Sequence, residues 1–257
     1  MCEEGDQIIV SAPGNPFVSA IAKAHGVIVK EFQLHLKKDT ETNELAWDYD
    51  YDVLAKLAND HVKFIYLLNP NWQIGKLLNS KRIRSLVKVC EDKNLPIVVD
   101  ETYSEYIFPG QKIEKFGDFN QSCPVISINS SSRLFGMGGS KISWIVLYGD
   151  KECFEDLEKG LMINSAILGK PDILNMTSLE MCYLSNENVG YTKEKMKFVE
   201  IRNRHFQNVW PKDIGMSLGI ANATFNNVIH VDWKFYENII LNTTQMCKKL
   251  VEEQGLV

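Results

Sequence analysis

Residues 62–100 read VKFIYLLNPNWQIGKLLNSKRIRSLVKVCEDKNLPIVVD. The mostly apolar segment 62–68 predicts a buried strand, and residues 96–100 predict another. Between them, Asn79 or Ser80 can cap a helix that runs to Lys93. The apolar side chains of that helix recur at helical spacing, at Ile83, Leu86, Val87 and Cys90. The stretch therefore predicts a strand–helix–strand unit.

The same alternation extends on both sides of this unit. Further strands are predicted at 7–10, 27–34, 125–128 and 142–147, with helices at 16–24 and 51–58 and a surface loop at 37–43. In these strands, apolar residues do not alternate with polar ones, which indicates that both faces of the sheet are covered. The pattern therefore predicts an α/β fold, a three-layer αβα arrangement with a mostly parallel mixed sheet. Ligands bind beyond the carboxyl ends of such strands, so chemistry is expected in the loops opening at Asn69, Asp100 and Ser130.

The pattern changes from Lys151 onward. Helices are predicted at 151–166, 171–184 and 192–209, the last with a sparse apolar set of Met196, Val199 and Phe206. Two strands follow at 216–220 and 227–231, then one helix from Phe235 to Glu253. We expect residues 1–190 to form a large domain, and residues 191–257 to form a linking helix and part of a smaller α/β domain.

Composition excludes several classes of protein. The chain has 257 residues, a net charge of −5 and a pI near 5.6, which disfavours a nucleic-acid partner. Its longest apolar runs are strand-sized, which predicts no membrane helix. Residues 1–10 hold acids and no base, unlike a signal peptide, and the six cysteines lack paired spacing. We therefore expect a cytoplasmic protein without disulfides or a metal site.

Asp100-Glu-Thr-Tyr103 lies at the end of a predicted parallel strand. A carboxylate there can pair with a protonated ring nitrogen, which makes the ring an electron sink, and the tyrosine can bond a phenolic oxygen of the same ring. The alternative is that Asp100 caps the next loop and Tyr103 packs beside it.

Residues 125–144 read VISINSSSRLFGMGGSKISW and predict a buried strand, a Ser-rich turn, a Gly-rich loop and a second strand. The glycines at 136–139 match neither the P-loop spacing nor the dinucleotide pattern. The segment can also be an ordinary connection in which Arg133 is solvated or paired to an acid.

Taken in this order and at these intervals, the segments resemble the class I and II aminotransferases of fold type I, which use pyridoxal phosphate (PLP), and are nearest to the tyrosine and aromatic aminotransferases. The resemblance implies that Asp100 and Tyr103 contact the cofactor ring. It implies that Ser130 and Ser132 provide hydroxyls on the phosphate side. Lys141 stands where the family has an arginine that holds the phosphate.

Arg133 stands where the resemblance implies the lysine that forms the Schiff base and moves the proton. The guanidinium of arginine keeps its proton at neutral pH, with a neutral fraction below roughly one in 10⁵. We therefore expect little or no transamination, with PLP held non-covalently at best.

Three other family positions also differ. Residues 69–75 read NPNWQIG, so Trp72 replaces an asparagine that bonds the cofactor ring; Trp72 can instead fill the pocket or pack on the sheet. Asn15 stands where an aromatic ring stacks on the cofactor. Lys141 keeps the charge of the family's arginine but loses its two-pronged hydrogen bonding.

Members of this family are usually about half again as long, so we expect a fragment, a truncated product or a naturally reduced paralogue. Three functions remain open. The first is a degenerate PLP pocket that binds PLP, a PLP–amino-acid adduct or another phosphate non-covalently, with an amino acid as a further small-molecule partner. The second is a non-enzymatic interaction or regulatory subunit, as a homodimer or a heterodimer with an active relative. The third is residual or altered transaminase activity.

Overall fold

The computed structural model describes residues 2–38, 44–119, 122–169, 171–237 and 242–255, without the side chains of residues 186–190. The strands in these residues are β1 (Gln7–Ala12), β2 (Ile28–Lys38), β3 (Leu45–Tyr49), β4 (Val62–Leu68), β5 (Ile97–Asp100), β6 (Val125–Ser130), β7 (Ser143–Tyr148), β8 (Met216–Leu218) and β9 (Ile229–Val231). The helices are α1 (Pro16–Ala24), α2 (Tyr51–Leu57), α3 (Ser80–Asp92), α4 (Ser131–Leu134), α5 (Glu155–Leu168), α6 (Ile173–Leu184), α7 (Asn186–Val209), α8 (Trp233–Tyr236) and α9 (Thr243–Gln254).

Within the described residues, seven strands form one sheet in the order β3-β2-β1-β4-β5-β6-β7. The pairs from β2 through β6 are parallel, and the two edge strands, β3 and β7, are antiparallel to their neighbours. This is the predicted mostly parallel mixed sheet. Separately, β8 and β9 form a short antiparallel pair.

The two faces of the sheet carry separate apolar clusters. On β4, Ile65 and Leu67 pack with α2 and α3, whereas Tyr66 and Leu68 pack with α1 and the start of α5. Successive strand residues point to opposite faces, so a strand that is apolar throughout must be covered on both. The three-layer prediction is confirmed.

The strand–helix–strand unit predicted for residues 62–100 forms as expected. Asn79 caps α3, because its Oδ1 accepts a hydrogen bond from Arg82 N at 3.0 Å. The predicted apolar face of α3 is buried at Ile83, Leu86, Val87 and Cys90. Strand β5 then ends at Asp100, which leaves this carboxylate at the sheet's carboxyl edge.

Some local predictions were wrong. Lys37 and Lys38 belong to β2, which pairs with the unpredicted strand β3, and residues 39–43 of the predicted loop lie outside the described residues. The single helix at 235–253 is replaced by α8 and α9, because the Asn242 side chain accepts from Gln245 N and begins a new helix. Of the sparse apolar set on the helix at 192–209, Met196 is buried and Phe206 is 41% exposed.

Helix α7 begins at Asn186 and therefore runs through the expected domain boundary at 190/191. The division into domains at 1–190 and 191–257 stays a prediction. None of the helices in the described part of the chain is both long enough and apolar enough to span a membrane.

A buried carboxylate supports the sheet beside the candidate site. Glu101 is 1% exposed, and its Oε2 accepts from Lys115 Nζ at 2.9 Å and from Ser127 Oγ at 2.7 Å. Among the described residues, its Oε1 has no hydrogen-bond partner. Loss of the lysine would leave a buried charge with one hydroxyl donor.

We expect Lys115→Met to lower the free energy of unfolding by about 1–2 kcal/mol, less than for a fully buried pair because Lys115 is partly solvated. Lys112→Met is the matched control, since Lys112 is 83% exposed in its pair with Glu114 and such pairs contribute little. Urea denaturation measures both variants. Equal stabilities for the two would contradict the expectation, as would a failure of Glu101→Gln to recover stability in the Lys115→Met background.

Candidate active site

Three parallel strands end together at one edge of the sheet. Leu68 pairs with Asp100, and Asp100 pairs with Ile128. The loops that follow are joined by backbone hydrogen bonds, from Asn69 N to Asp100 O at 3.0 Å and from Glu101 N to Ile128 O at 2.9 Å. The loops opening at Asn69, Asp100 and Ser130 therefore meet, as the strand pattern predicted.

Asp100 is half-buried and already holds three donors. Its Oδ2 accepts from Tyr66 Oη at 2.8 Å, and its Oδ1 accepts from the backbone N and the hydroxyl of Thr102. A carboxylate offers about four acceptor sites, so one remains. Burial is the largest cause of a raised pKa of Tyr66, and the charge of Asp100 raises that pKa further. The Tyr66 hydroxyl therefore stays protonated and donates to Asp100.

Sequence reasoning missed Tyr66. The signal was available, because alternation along adjacent strands puts Tyr66 and Asp100 on the same face of the sheet. Asn15 also reaches this point: its side chain opposes the rise in the pKa of Tyr66, and its Oδ1 caps α1 by accepting from Phe17 N.

Tyr103 is the centre of an aromatic cluster. Its ring is stacked on Trp72, with centroids 5.9 Å apart and an interplanar angle of 25°. Tyr106 and Phe225 meet it edge-on, at 5.4 Å and 6.1 Å. The sequence-based alternatives for Trp72 and Tyr103 were both packing roles, and each ring does pack here.

Arg133 lies against this cluster. Its Cζ is 5.5 Å from the centroid of the Tyr103 ring, and its carbonyl oxygen accepts a hydrogen bond from Tyr106 Oη at 3.0 Å. Burial raises the pKa of Tyr103, and the charge of Arg133 opposes that rise. Arg133 is solvent-exposed and forms no ion pair with any acid in the described part of the chain. The Arg133 guanidinium thus lies against Tyr103, and the charge of Asp100 acts on the pKa of the same tyrosine by raising it.

The hydroxyls of the Ser-rich turn are used within the turn. Ser130 caps α4: its Oγ accepts from Ser132 N, donates to Ile142 O at 3.2 Å and lies 3.0 Å from Ser132 Oγ. Lys141 is exposed and adopts a left-handed backbone conformation, with φ of 55°. The described contacts do not join Lys141 to Asp100 or to Tyr103.

Residues 221–225 also belong to the site, although sequence reasoning did not include them. Asn222 bonds the backbone of Leu77 in both directions, and its own N donates to Gly75 O at 2.9 Å. Thr224 Oγ1 donates to Trp72 O at 3.2 Å, and Thr224 N donates to Tyr106 O at 2.7 Å. These bonds hold Phe225 against Tyr103.

The PLP cofactor implied by the resemblance fits these residues only in part. Asp100 keeps one acceptor site at the correct edge of the sheet. The Ser130 hydroxyl is engaged by Ile142 O and Ser132 Oγ, whereas the Ser132 hydroxyl acts only as an acceptor among the described residues. Residue 133 carries a guanidinium, which the covalent form of the cofactor cannot use. The cofactor roles of Asp100, Tyr103, Ser130, Ser132, Lys141, Trp72 and Asn15 stay predictions. No group of three or more possible metal ligands occurs among the described residues.

Two tyrosine aminotransferases are similar to this chain in sequence. A tyrosine aminotransferase of Dictyostelium discoideum is 23% identical over 260 residues, which covers 100% of this chain and 60% of that protein. The human tyrosine aminotransferase is 22% identical over 171 residues, or 66% of this chain and 36% of that protein. The chain therefore spans about 60% or less of the length of these relatives.

Solved structures share the fold. An alanine aminotransferase from Pyrococcus furiosus matches 98% of this chain and 60% of its own, with a TM-score of 0.84 and 19% identity. A tyrosine aminotransferase from Leishmania infantum matches 87% of this chain and 53% of its own, with a TM-score of 0.78 and 19% identity. The family model for aminotransferase class I and II matches residues 1–256, so the chain belongs to the class I and II aminotransferases.

Proposed function

We propose that this protein is a tyrosine aminotransferase-like member of its family with a degenerate PLP pocket and little or no transaminase activity. The observation that carries the proposal is the guanidinium of Arg133 beside Tyr103. A transaminase needs a titratable amine that can attack an aldehyde carbon and then carry a proton. A guanidinium keeps its proton at neutral pH and offers neither function.

The surroundings of Arg133 support the same proposal. Trp72 presents its ring to Tyr103, so its one N–H is the only donor left to replace an amide at that position. Asn15 offers an amide where a stacking ring is expected. The remaining ligand groups, the last acceptor site of Asp100 and the exposed charge of Lys141, suit PLP, a PLP–amino-acid adduct or an amino acid held without a covalent bond.

Incubation of the wild-type chain with PLP followed by borohydride is expected to leave no reduced lysyl adduct concentrated at one site, because residue 133 has no attacking amine. Peptide mapping by mass spectrometry measures this. Lys141→Met is the control for surface labelling, since Lys141 is the amine closest in sequence to the Ser-rich turn. Stoichiometric reduction at Lys141 would sink the proposal.

Visible absorption spectroscopy measures the non-covalent binding of PLP. A change in the visible absorption of PLP on titration with the wild-type chain, lost in Asp100→Asn, supports a retained pocket. No change in absorption, together with a stable oligomer, favours an interaction protein instead.

A non-enzymatic interaction subunit is the second candidate, favoured by the apolar surface of α5 and α6. Large side chains there are 62–85% exposed, at Met162, Ile163, Ile167, Leu168, Ile173, Leu174, Met181 and Leu184. Exposed apolar patches of this kind mark association surfaces. The partner would be a second copy of this chain or an active relative.

Light scattering coupled to size-exclusion chromatography tests this second candidate. A dimer that is weakened by Leu168→Glu and Leu174→Glu supports it, and a monomer at all concentrations contradicts self-association. Mixing with an active tyrosine aminotransferase tests the heterodimer. The third candidate, residual activity, requires measurable conversion of an amino acid and a 2-oxo acid by the wild-type chain. A cytoplasmic location stays a prediction.

A further inference from the structure

Helix α7 presents polar side chains to the protein body. Residues spaced as successive turns of one helical face line a cavity of about 460 Å³, at Glu200, Asn203, Arg204, Gln207 and Asn208. The facing wall is formed by Phe108 and residues 220–222. Elsewhere on the same helix, Phe198 and Ile201 are 60% and 63% exposed, whereas Met196 is buried in a cluster with Phe108 and Ala221.

One amide nitrogen at this cavity is buried without a hydrogen-bond partner among the described residues, and a second amide side chain lies close to it on the same helical face. Asn203 is 7% exposed, and within the described residues its side chain makes no hydrogen bond. The Nε2 atom of Gln207 is buried and likewise has no partner. Buried amide groups are nearly always hydrogen-bonded, since an unpaired one loses its hydration without compensation. The Nε2 donor of Gln207 therefore lacks a binding partner.

The side chains that line the cavity carry one net negative charge, from Glu44 and Glu200 against Arg204. Arg204 Nη2 binds Glu200 Oε1 at 2.6 Å, so the two side chains neutralise one another. The carboxylate of Glu44 also lines the cavity and disfavours an anion. Asn222 is occupied by the backbone of Leu77, and the other neutral amides that line the cavity are Gln111, Asn203, Gln207 and Asn208.

We propose that this cavity binds a small, neutral, polyhydroxylated molecule, of the size of a monosaccharide or a cyclic polyol. Side-chain amides both donate and accept, as hydroxyl groups do, and the site has no unbalanced positive charge for an anion. Phe108 and Ala221 supply an apolar wall for the carbon face of a ring. The cavity is far larger than the roughly 30 Å³ that one water occupies, so a single bridging water does not fill it.

Binding is tested with D-glucose and myo-inositol at millimolar concentrations, by isothermal titration and by the midpoint of thermal unfolding. The wild-type chain is expected to show a saturable response to at least one probe. Gln207→Met and Asn203→Leu keep the side-chain size, and each is expected to weaken the response by about tenfold or more through the lost hydrogen bonds. Gln254→Met, on an exposed part of α9, is the matched control and retains the wild-type response.

The stability of ligand-free Gln207→Met, compared with the ligand-free wild type, distinguishes a ligand-binding site from a site filled by structural water. If the amides await a ligand, Gln207→Met is at least as stable as the wild type, because it removes an unpaired buried donor. Lower stability of Gln207→Met with no saturable response in the wild type means that water satisfies the amides and overturns the proposal. A response to sodium phosphate alone, or an equal response in wild type and Gln207→Met, also overturns it.

Discussion

Replacing Arg133 by lysine is expected to raise the yield of a borohydride-reduced PLP adduct at residue 133 by about two to three orders of magnitude, from the neutral fractions of the two side chains. The backbone at 133 is held by the hydrogen bond from Tyr106, and the Arg133 side chain already reaches the Tyr103 ring. A lysine here would extend along the same line toward the Tyr103 ring. Peptide mapping after reduction measures the adduct.

Arg133→Met is the control, because it removes the guanidinium without supplying an amine. Adding Trp72→Asn to Arg133→Lys restores the amide that the family has at position 72 and should increase the labelled fraction further. If Arg133→Lys is labelled no more than Arg133→Met, residue 133 does not face the cofactor. That result would contradict the proposal that Arg133 abolishes catalysis. It would leave the family assignment unchanged.

Gly75→Ala is expected to lower the free energy of unfolding by about 2–4 kcal/mol, the sum of a left-handed backbone and an overpacked contact. Gly75 has φ of 67°, and a Cβ there would lie 2.6 Å from Ala221 Cβ and 2.9 Å from Asn226 O. The carbonyl of Gly75 accepts from the backbone of both Asn222 and Ala223. The variant should therefore release residues 220–226 from the site.

The Gly136→Ala variant measures the cost of a left-handed backbone without the cost of an overpacked contact. Gly136 has φ of 69°, and no heavy atom lies within 4 Å of the Cβ position, so only the backbone cost of about 1 kcal/mol is expected. Chemical denaturation compares the stabilities, and hydrogen exchange at Asn222 and Ala223 reports the local release. Equal losses of stability in both variants, with unchanged exchange at 222 and 223, would show that the close contact has no energetic weight.

The alternation of strands and helices from Gln7 to Leu147 could be predicted from the sequence, because each element depends on local spacing. The apolar run 62–68 and the cap at Asn79 need no distant residue to be recognised. Strand β3 was missed, since Leu45–Tyr49 is short and is stabilised by pairing with β2. The break between α8 and α9 was missed because the apolar spacing of residues 235–253 conceals the cap at Asn242.

The sequence by itself determined the fold class and the order of Asp100, Tyr103, Ser130 and Arg133 along the sheet edge, because parallel strands carry their carboxyl ends to one side. Only the tertiary structure decided which groups meet there. Tyr66 reaches Asp100 across a strand pair, and Thr224 reaches Trp72 across 152 residues. That second contact depends on the return of the chain after α7 and on the small residues Gly75 and Ala221, whose close approach no local pattern encodes.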